Sequence, residues 1–521
     1  MPDFLTLKFP SEEADSYLIP ENRSAINSFF YKGGAYDKLR EPSTYFLVGG
    51  KGSGKTAYSA YFCSRAMEGG IKSKYYQIHV DDYNKIIQMK IEGKLAYTDY
   101  VTLWKAALLI KICASLESEE ISILGKVGFR KIENLLKRYN FTQFTEDTFS
   151  PISYMDSSEF VESGGVKAAK VGIEPNVGYS RKKNEQVTRQ KSIYVDEWVR
   201  FINEISQEIE KIRLSNTHYL FVDGIDIRPQ NIDFESYSEC AYSLIRAVYD
   251  INFSILSKIK DRKKGRLQII VLTRLDIFLN SGLSNPECKL HDNSAYLDWY
   301  TSEKEEEYKY SDLYGVVNNF LGASNGEDKW SHYFGFNINR GNQSLESFVY
   351  FLRLTTQKPR DYVKFLSIIQ GICKKKKNIS PSSTIIESDD FQKQYSNYFV
   401  GRIKTALSFR YDDVAIECLF SFLRTIGKHT IKLRELKKKY NDFNKRATLE
   451  SSFEDFNGVM KVLFDNDMIG IHEGHGIYRW KFKEIKDSIY EYNYPIERIN
   501  DNTEIRFNWA LEKCFSLYTL M

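Results

Sequence analysis

Residues 45–56 read Tyr-Phe-Leu-Val-Gly-Gly-Lys-Gly-Ser-Gly-Lys-Thr. Tyr45 to Val48 is an apolar run too short for a helix and suited to a strand buried on both faces. Glycine then stands at 49, 50, 52 and 54, where a backbone without Cβ atoms can bend so that successive N–H groups converge. Helix formers follow from Thr56 to Met67 and are closed by Gly69-Gly70. Strand, glycine loop and helix in that order make an anion cradle, because the loop amides and the helix N-terminus supply donors and partial positive charge. Gly49, Gly54, Lys55 and Thr56 fit the spacing G-x-x-x-x-G-K-[ST], in which the lysine reaches the outer phosphates of a nucleotide and the hydroxyl holds Mg²⁺. Gly49, Gly50, Lys51, Gly52, Ser53, Gly54, Lys55, Thr56 and Ala57 are therefore expected to line a phosphate site, with ATP and Mg²⁺ as ligands. A chance glycine-rich turn is the bland alternative, and the flanking strand and helix count against it.

Outward from the loop, short apolar runs alternate with helical patterns. Tyr75 to Val80 reads as a second strand ending in Asp81-Asp82. Tyr100 to Leu116, Ile132 to Tyr139 and Tyr194 to Ile212 read as helices. Tyr219 to Val222 reads as a third strand running into Asp223-Gly224-Ile225-Asp226. Ser236 to Lys260 reads as a helix, Leu267 to Leu272 as a fourth strand, and Ala295 to Trp299 as a candidate fifth. This alternation predicts an α/β fold with a parallel sheet covered on both faces.

Four further features carry chemistry. A strand ending in an acid beside a phosphate loop supplies a carboxylate for Mg²⁺, and His218-Tyr-Leu-Phe-Val-Asp223 has that form. Asp226 is the candidate for orienting an attacking water, with Asp81 or Asp82 next in line; a turn-forming Asp is the alternative. Arg274, directly after the fourth strand, can touch a terminal phosphate, or it can be a surface arginine. Lys358-Pro359-Arg360-Asp361 lies in a helical region, where Arg360 can project onto bound phosphates and couple hydrolysis to domain motion. Pro359 equally suits a plain helix start.

The order of these motifs resembles the AAA+ and STAND superfamilies of ATPases. It is more similar to a family of bacterial P-loop ATPases that carry the same Gly-Lys-Gly-Ser-Gly-Lys-Thr loop, an Asp-Gly-x-Asp acid motif and a Pro-Arg-Asp lid motif. The resemblance covers about residues 20–410. It implies a P-loop sheet, a helical lid and a regulatory C-terminal domain, with Arg274 at the sensor position and Arg360 as the lid sensor. One departure stands out. Many such enzymes have Glu directly after the Mg²⁺-binding Asp, and here Gly224 occupies that place. Similar ATPases occur in bacterial antiviral systems, so the resemblance implies a regulatory switch or motor, with antiviral defence as one setting.

Beyond about residue 310 helices dominate as far as Lys374-Lys375-Lys376-Lys377, and residues 385–410 add another. From 412 to 483 the pattern is three helices and then two strands, Met468 to His472 and Ile477 to Phe482, around a four-residue Gly-containing turn. That is a winged-helix pattern, also common in the similar origin-recognition ATPases. Val414, Leu419, Phe420, Leu423, Val459, Val462 and Leu463 can fill its core. The expected organisation is an ATPase core over 1–310 with an insertion at about 141–192, a lid over 311–411, a winged helix over 412–483 and a tail over 484–521.

The balance of 73 basic to 69 acidic residues neither demands nor excludes nucleic acid. Lys432, Arg434, Lys437, Lys438 and Lys439 crowd one helix, and Arg479, Lys481 and Lys483 follow on the wing. The helix expected to read bases, about Phe453 to Phe464, carries Glu454 and Asp455 and is flanked by Glu450 and Asp465, which repel phosphates. Any DNA contact is thus expected to be weak and nonspecific, and a protein partner or self-association through lid or winged helix is favoured. An ATP-dependent DNA loader and a non-hydrolysing ATP-bound scaffold are the alternatives. Seven cysteines stand singly, without C-x-x-C pairs, so neither a disulfide framework nor a zinc site is expected. Met1 to Pro10 lacks a signal-peptide pattern and no run of 18 apolar residues occurs, so a soluble cytoplasmic protein without membrane contact is expected.

Overall fold

The computed structural model describes residues 3–64, 71–93, 95, 99–117, 121–139, 152, 195–229, 231–323, 326–446, 453, 455–475, 477–483 and 499–517. Apart from residue 152, the insertion expected at about 141–192 lies outside them. Strands β1 (Phe46–Val48), β2 (Ile71–Gln77), β3 (Thr217–Asp223), β4 (Leu267–Thr273) and β5 (Ser294–Tyr296) form a five-stranded sheet of order β2-β3-β4-β1-β5. Every pairing in it is parallel. Parallel neighbours need long crossovers. Helix α1 (Lys55–Ser64) follows β1; α2 (Val80–Ile91), α3 (Tyr100–Ala114) and α4 (Lys126–Arg138) follow β2; α5 (Phe234–Asp250) follows β3.

The sheet is buried on both faces, and the strand sequences show why. Phe46, Val48, Leu220, Val222, Ile269 and Val271 enter one hydrophobic cluster, with Trp104 of α3 and Leu244 of α5. The alternate residues Leu47, Tyr219, Phe221, Ile270 and Leu272 enter the other, with Tyr58 and Phe62 of α1. Such strands need apolar residues at every position, which is why they read as continuous runs.

The edge strand β2 departs from expectation. It spans Ile71–Gln77 rather than Tyr75 to Val80, and Val80 opens α2. Its upstream half carries exposed Lys74 beside buried Ser73, which hides a strand from a search for apolar runs. Asp82 accepts the His79 amide at 3.0 Å and caps α2, so Asp81 and Asp82 belong to a helix start.

Residues ahead of β1 are not a loose lead-in. Short 3-10 turns at Phe4–Thr6, Ala14–Tyr17 and Arg23–Ser28 wedge the chain between α1 and the later helices. The Phe4 ring packs against Tyr333 and Phe334, and Phe30 stacks on Tyr61 of α1 with centroids 3.8 Å apart.

After β5 come α6 (Asp312–Phe320), a hairpin of β6 (Asn337–Arg340) and β7 (Gln343–Glu346), then α7 (Pro359–Lys376) and α8 (Asp389–Leu407). The hairpin was not anticipated, because most of its residues are polar and exposed. The final part holds α9 (Asp413–Arg424), α10 (Leu433–Asn444) and α11 (Phe456–Asp465). With them goes a four-stranded sheet of β8 (Thr430–Lys432), β9 (Ile469–Gly474), β10 (Ile477–Arg479) and β11 (Glu504–Phe507), in the order β10-β9-β11-β8. The stretch read as a tail thus supplies a strand antiparallel to both β9 and β8. The expected strand Ile477 to Phe482 stops at Arg479, and Lys481–Lys483 is a 3-10 turn. Of the expected core residues here, Val414 is 79% exposed and the others are buried. The helix expected near Phe453 to Phe464 buries Phe456, Val459, Met460, Val462, Leu463 and Phe464. Glu450, Glu454 and Gly476 lie outside the described residues. Among the described residues no helix is long and apolar enough to cross a membrane.

Candidate functional site

The C-terminal ends of β1, β3 and β4 lie side by side, and ligand sites of parallel sheets collect at that edge. β1 delivers the loop 49–54. Gly52 and Gly54 take φ of +82° and +95°, a region that L side chains rarely adopt. The Ser53 amide donates to the Gly50 carbonyl at 3.2 Å, and the Trp299 indole N–H donates to the Ser53 carbonyl at 2.8 Å, pinning the loop from β5. The Ser53 hydroxyl is buried with no hydrogen-bond partner. Lys55, the first residue of α1, folds back and donates through Nζ to the carbonyls of Gly49 (3.0 Å) and Gly50 (3.3 Å). The same Nζ lies 3.8 Å from Asp226 Oδ2.

β3 delivers Asp223. Thr56 Oγ1 donates to Asp223 Oδ2 at 2.8 Å, joining the first turn of α1 to the end of β3. The Tyr75 hydroxyl donates to the same oxygen at 3.1 Å, and the Gly224 amide donates to Oδ1 at 2.8 Å. Burial foremost, and then Asp226, push the Asp223 carboxyl up to about 6, against the pull of Lys55, Thr56 and the Gly224 amide. Burial holds the Tyr75 phenol far above its ordinary value, with Asp223 adding to it. Desolvation lowers the Lys51 amine; Asp226 opposes this, and Arg360 and Arg274 add to it.

Lys51 to Ala57, Asp223 and Asp226 face a cavity of about 280 Å³, whereas Gly49, Gly50 and Tyr75 are not part of its lining. One end is polar, with Lys51, Gly52, Ser53, Gly54, Lys55, Thr56, Ala57, Gln77, Asp223, Asp226 and Arg360. The other end is apolar and aromatic, with Tyr17, Ile26, Phe29, Phe30 and Tyr31 from the N-terminal segment and Val316 and Phe320 from α6. Glu12, Glu13 and Asp15 line the polar end as well. Desolvation and then Glu13 push the Asp15 carboxyl up, Arg360 pulls it down, and Asp226 pushes it up again.

Arg274 does not face this cavity. Its guanidinium makes paired contacts with Asp276, at 2.9 and 2.7 Å, and lies over the Phe409 ring. It lines a neighbouring cavity of about 150 Å³ that shares Lys51, Ser53 and Trp299 with the first and is also lined by Gly50. Arg360 does reach the first cavity, at the start of α7. Its Nε donates to the Glu12 carbonyl at 3.1 Å, and its Nη2 lies 3.7 Å from Glu13 Oε2. A Cβ on Gly52 would come within 3.3 Å of Arg360 Cβ, and one on Gly50 within 3.2 Å of Lys358 Cε, so the segment Lys358 to Arg360 rests on the loop through its glycines. Asp361 is fully buried; it takes Nη1 of Arg402 at 2.8 Å and the Thr356 hydroxyl at 2.9 Å, which fixes the segment. Neither Asp81 nor Asp82 lines either cavity.

Sequence reasoning missed the N-terminal contribution and the roles of Tyr75, Gln77 and Trp299; it named Lys358 within its motif without foreseeing the contacts with Gly50 and Asp467. The aromatic run Phe29-Phe30-Tyr31 ahead of the first strand was the available signal for the apolar end. Compared with family models, curated proteins and solved structures, the chain matches none.

Proposed function

We propose that the chain binds ATP with Mg²⁺ in the larger cavity and hydrolyses it, as a P-loop ATPase of AAA+/STAND-like architecture with a helical lid and a C-terminal winged helix, acting as a regulatory switch or motor. The observation that carries this reading is the Thr56–Asp223 contact at 2.8 Å, set beside a lysine that, among the described residues, is bonded to its own loop carbonyls and lies near the Asp226 carboxylate. Those are contacts that a polyphosphate and a divalent cation replace. The two-ended cavity suits a nucleotide, with phosphates at the glycine loop and a flat base among the aromatic side chains.

Lys55 leaves the Gly49 and Gly50 carbonyls for the outer phosphates, and the loop amides with the α1 N-terminus hold the inner ones. Thr56 and Asp223 hold the cation, which neutralises charge building on the phosphate oxygens. Among the described residues no three His, Cys, Asp or Glu side chains are grouped to hold a metal; Mg²⁺ needs only one or two protein oxygens alongside phosphates and water. Asp226 orients the attacking water. Arg360 reads the terminal phosphate from the lid.

Lys55→Ala tests the reading. ATP affinity should fall about ten- to a hundredfold, as expected for losing charge-assisted hydrogen bonds to phosphate. Titration of labelled ATP into parent and variant checks it, and unchanged affinity and turnover would remove the assignment.

A second reading has its own support. Arg434, Lys437 and Lys438 stand exposed along α10 and Lys445 directly after it, a surface suited to weak, sequence-blind contact with nucleic-acid phosphates. α11 leaves Asn457, Lys461 and Asp465 exposed, too few donors to read bases.

A further inference from the structure

We propose that residues 10–17 form an acidic strap that competes with a terminal phosphate for Arg360, so that a triphosphate releases the strap and a diphosphate leaves it in place. This deepens the ATP reading and rests on it.

The strap is tied to the lid at three points. Arg360 Nε donates to the Glu12 carbonyl at 3.1 Å, Arg360 Nη2 lies 3.7 Å from Glu13, and Lys364 Nζ donates to Glu12 Oε1 at 2.8 Å. Both cations belong to one face of α7, and both acids are exposed. With Asp15, the strap brings three carboxylates to the polar end of the cavity. Glu13 and Asp15 serve there as internal counter-charges, Glu13 for Arg360 and Lys51 and Asp15 for Arg360.

That arrangement cannot persist beside a bound triphosphate. Three carboxylates and a polyanion within a few ångströms repel one another. The contest for Arg360 is also unequal. The Glu13 side chain is 73% exposed, and exposed pairs of this kind are weak. A phosphate offers the guanidinium paired, charge-assisted bonds. A diphosphate ends one group short and gives Arg360 nothing to exchange for, so Glu12 and Glu13 stay.

The hinge is also visible. Tyr17 and Ile26 are buried, and the Phe30 ring stacks on Tyr61. These hold the aromatic end where a base would lie. Upstream, the Ser11 amide donates to the Tyr17 hydroxyl at 2.7 Å. Release therefore frees the stretch before Tyr17 and leaves the base-facing stretch after it packed.

Hydrogen exchange of the full chain with mass spectrometry distinguishes the outcomes, using ADP and a non-hydrolysable ATP analogue, each with Mg²⁺. The triphosphate should speed exchange over about residues 8–14, including the Ser11 amide, while both nucleotides slow it over about 17–31. The double variant Glu12→Gln, Glu13→Gln should bind the triphosphate roughly two- to fivefold more tightly, the fold-change an exposed ion pair typically carries, with ADP affinity unchanged. If the analogue binds and slows exchange over 17–31 while 8–14 is unchanged, or if both nucleotides free 8–14 equally, the strap is overturned and the ATP reading stands. Unchanged triphosphate affinity in the double variant overturns it too. If neither nucleotide binds parent or variant, the ATP reading falls and takes the strap with it.

Discussion

Asp223 holds a carboxylate at the end of a strand that is buried along nearly its whole length. Its ordinary value is 3.8, and folding pushes it up to about 6. Between those values the folded chain keeps a proton that the unfolded chain has released. Stability is therefore fully present below the lower value, falls as pH rises through the window, and carries the whole penalty above it. Asp223→Asn removes the charge and keeps an oxygen to accept from Thr56 or Gly224. Without nucleotide, the variant is expected to be more stable than the parent above about pH 6, by of order 2 kcal/mol, with no gain at about pH 4. Melting curves at acid and alkaline pH check this, and a variant that is less stable at pH 8 contradicts the penalty. The same variant should lose Mg²⁺-dependent hydrolysis. Asp226→Asn should instead keep ATP binding, since Lys55 and the loop amides still meet the phosphates, and lower turnover by about a hundredfold, the usual scale for a group that manages water. Normal turnover in Asp226→Asn would remove the water-orienting role from Asp226, and Asp81 and Asp82 do not replace it, because they sit on α2 and outside the cavity.

At the scale of elements, legibility followed burial. β1, β3 and β4 lie inside the sheet with both faces covered, so their centres are apolar runs that were found, whereas the polar residues Thr217 and His218 hid the first two positions of β3. The positions of the glycine loop and of the acid at the end of β3 were legible because glycines between a strand and a helix, and an acid closing an apolar run, are local marks. β2 at the sheet edge and the β6–β7 hairpin were not, because a half-exposed strand mixes polar residues into its pattern. The N-terminal 3-10 turns have no long period to detect. β11 was missed for a different reason: its partners β8 and β9 lie far upstream, and pairing over such a distance leaves no local mark. β11 is nonetheless the middle of its sheet, with Ile505 and Phe507 fully buried. Each such side chain contributes about 1.5–3 kcal/mol by burial alone, and its removal also strips the ladder from β8 and β9. A fragment spanning 412–483 should therefore fail to unfold cooperatively in urea, whereas 412–517 should show a single transition. A cooperative transition of equal midpoint in both fragments would show β11 to be dispensable.

At the scale of the whole molecule, one short segment joins the parts. Arg360 reaches the N-terminal strap, Asp361 ties to α8 through Arg402, and Lys358 crosses to the C-terminal part, where its Nζ lies 3.4 Å from Asp467 Oδ2. Lys358 also rests on Gly50 of the loop, so a change in the loop is felt at the Asp467 contact directly. Desolvation lowers the Lys358 amine and Asp467 is the main group opposing that, which makes the pair costly to break from one side only. Asp467→Asn isolates this charge. Asp467 adopts φ of +59°, a conformation Asn tolerates as well as Asp, and an Asn oxygen can still accept the Phe482 amide, now 3.0 Å from Oδ1. Any loss then belongs to the missing charge. Asp467→Asn is expected to destabilise by about 1–3 kcal/mol because it strands a desolvated ammonium. Lys358→Met, which removes the ammonium and keeps the stem, should cost less. The double variant should be no worse than Lys358→Met alone, giving a coupling energy of about 1–2 kcal/mol in a double-mutant cycle from urea melts. If the cycle closes with no coupling, the contact is incidental. If coupling is present, Asp467→Asn shifts ATP affinity and the double variant shifts it no further than Lys358→Met, the C-terminal part and the glycine loop are linked through Lys358 rather than through the smaller cavity, which Asp467 lines with Gly50, Lys51 and Ser53.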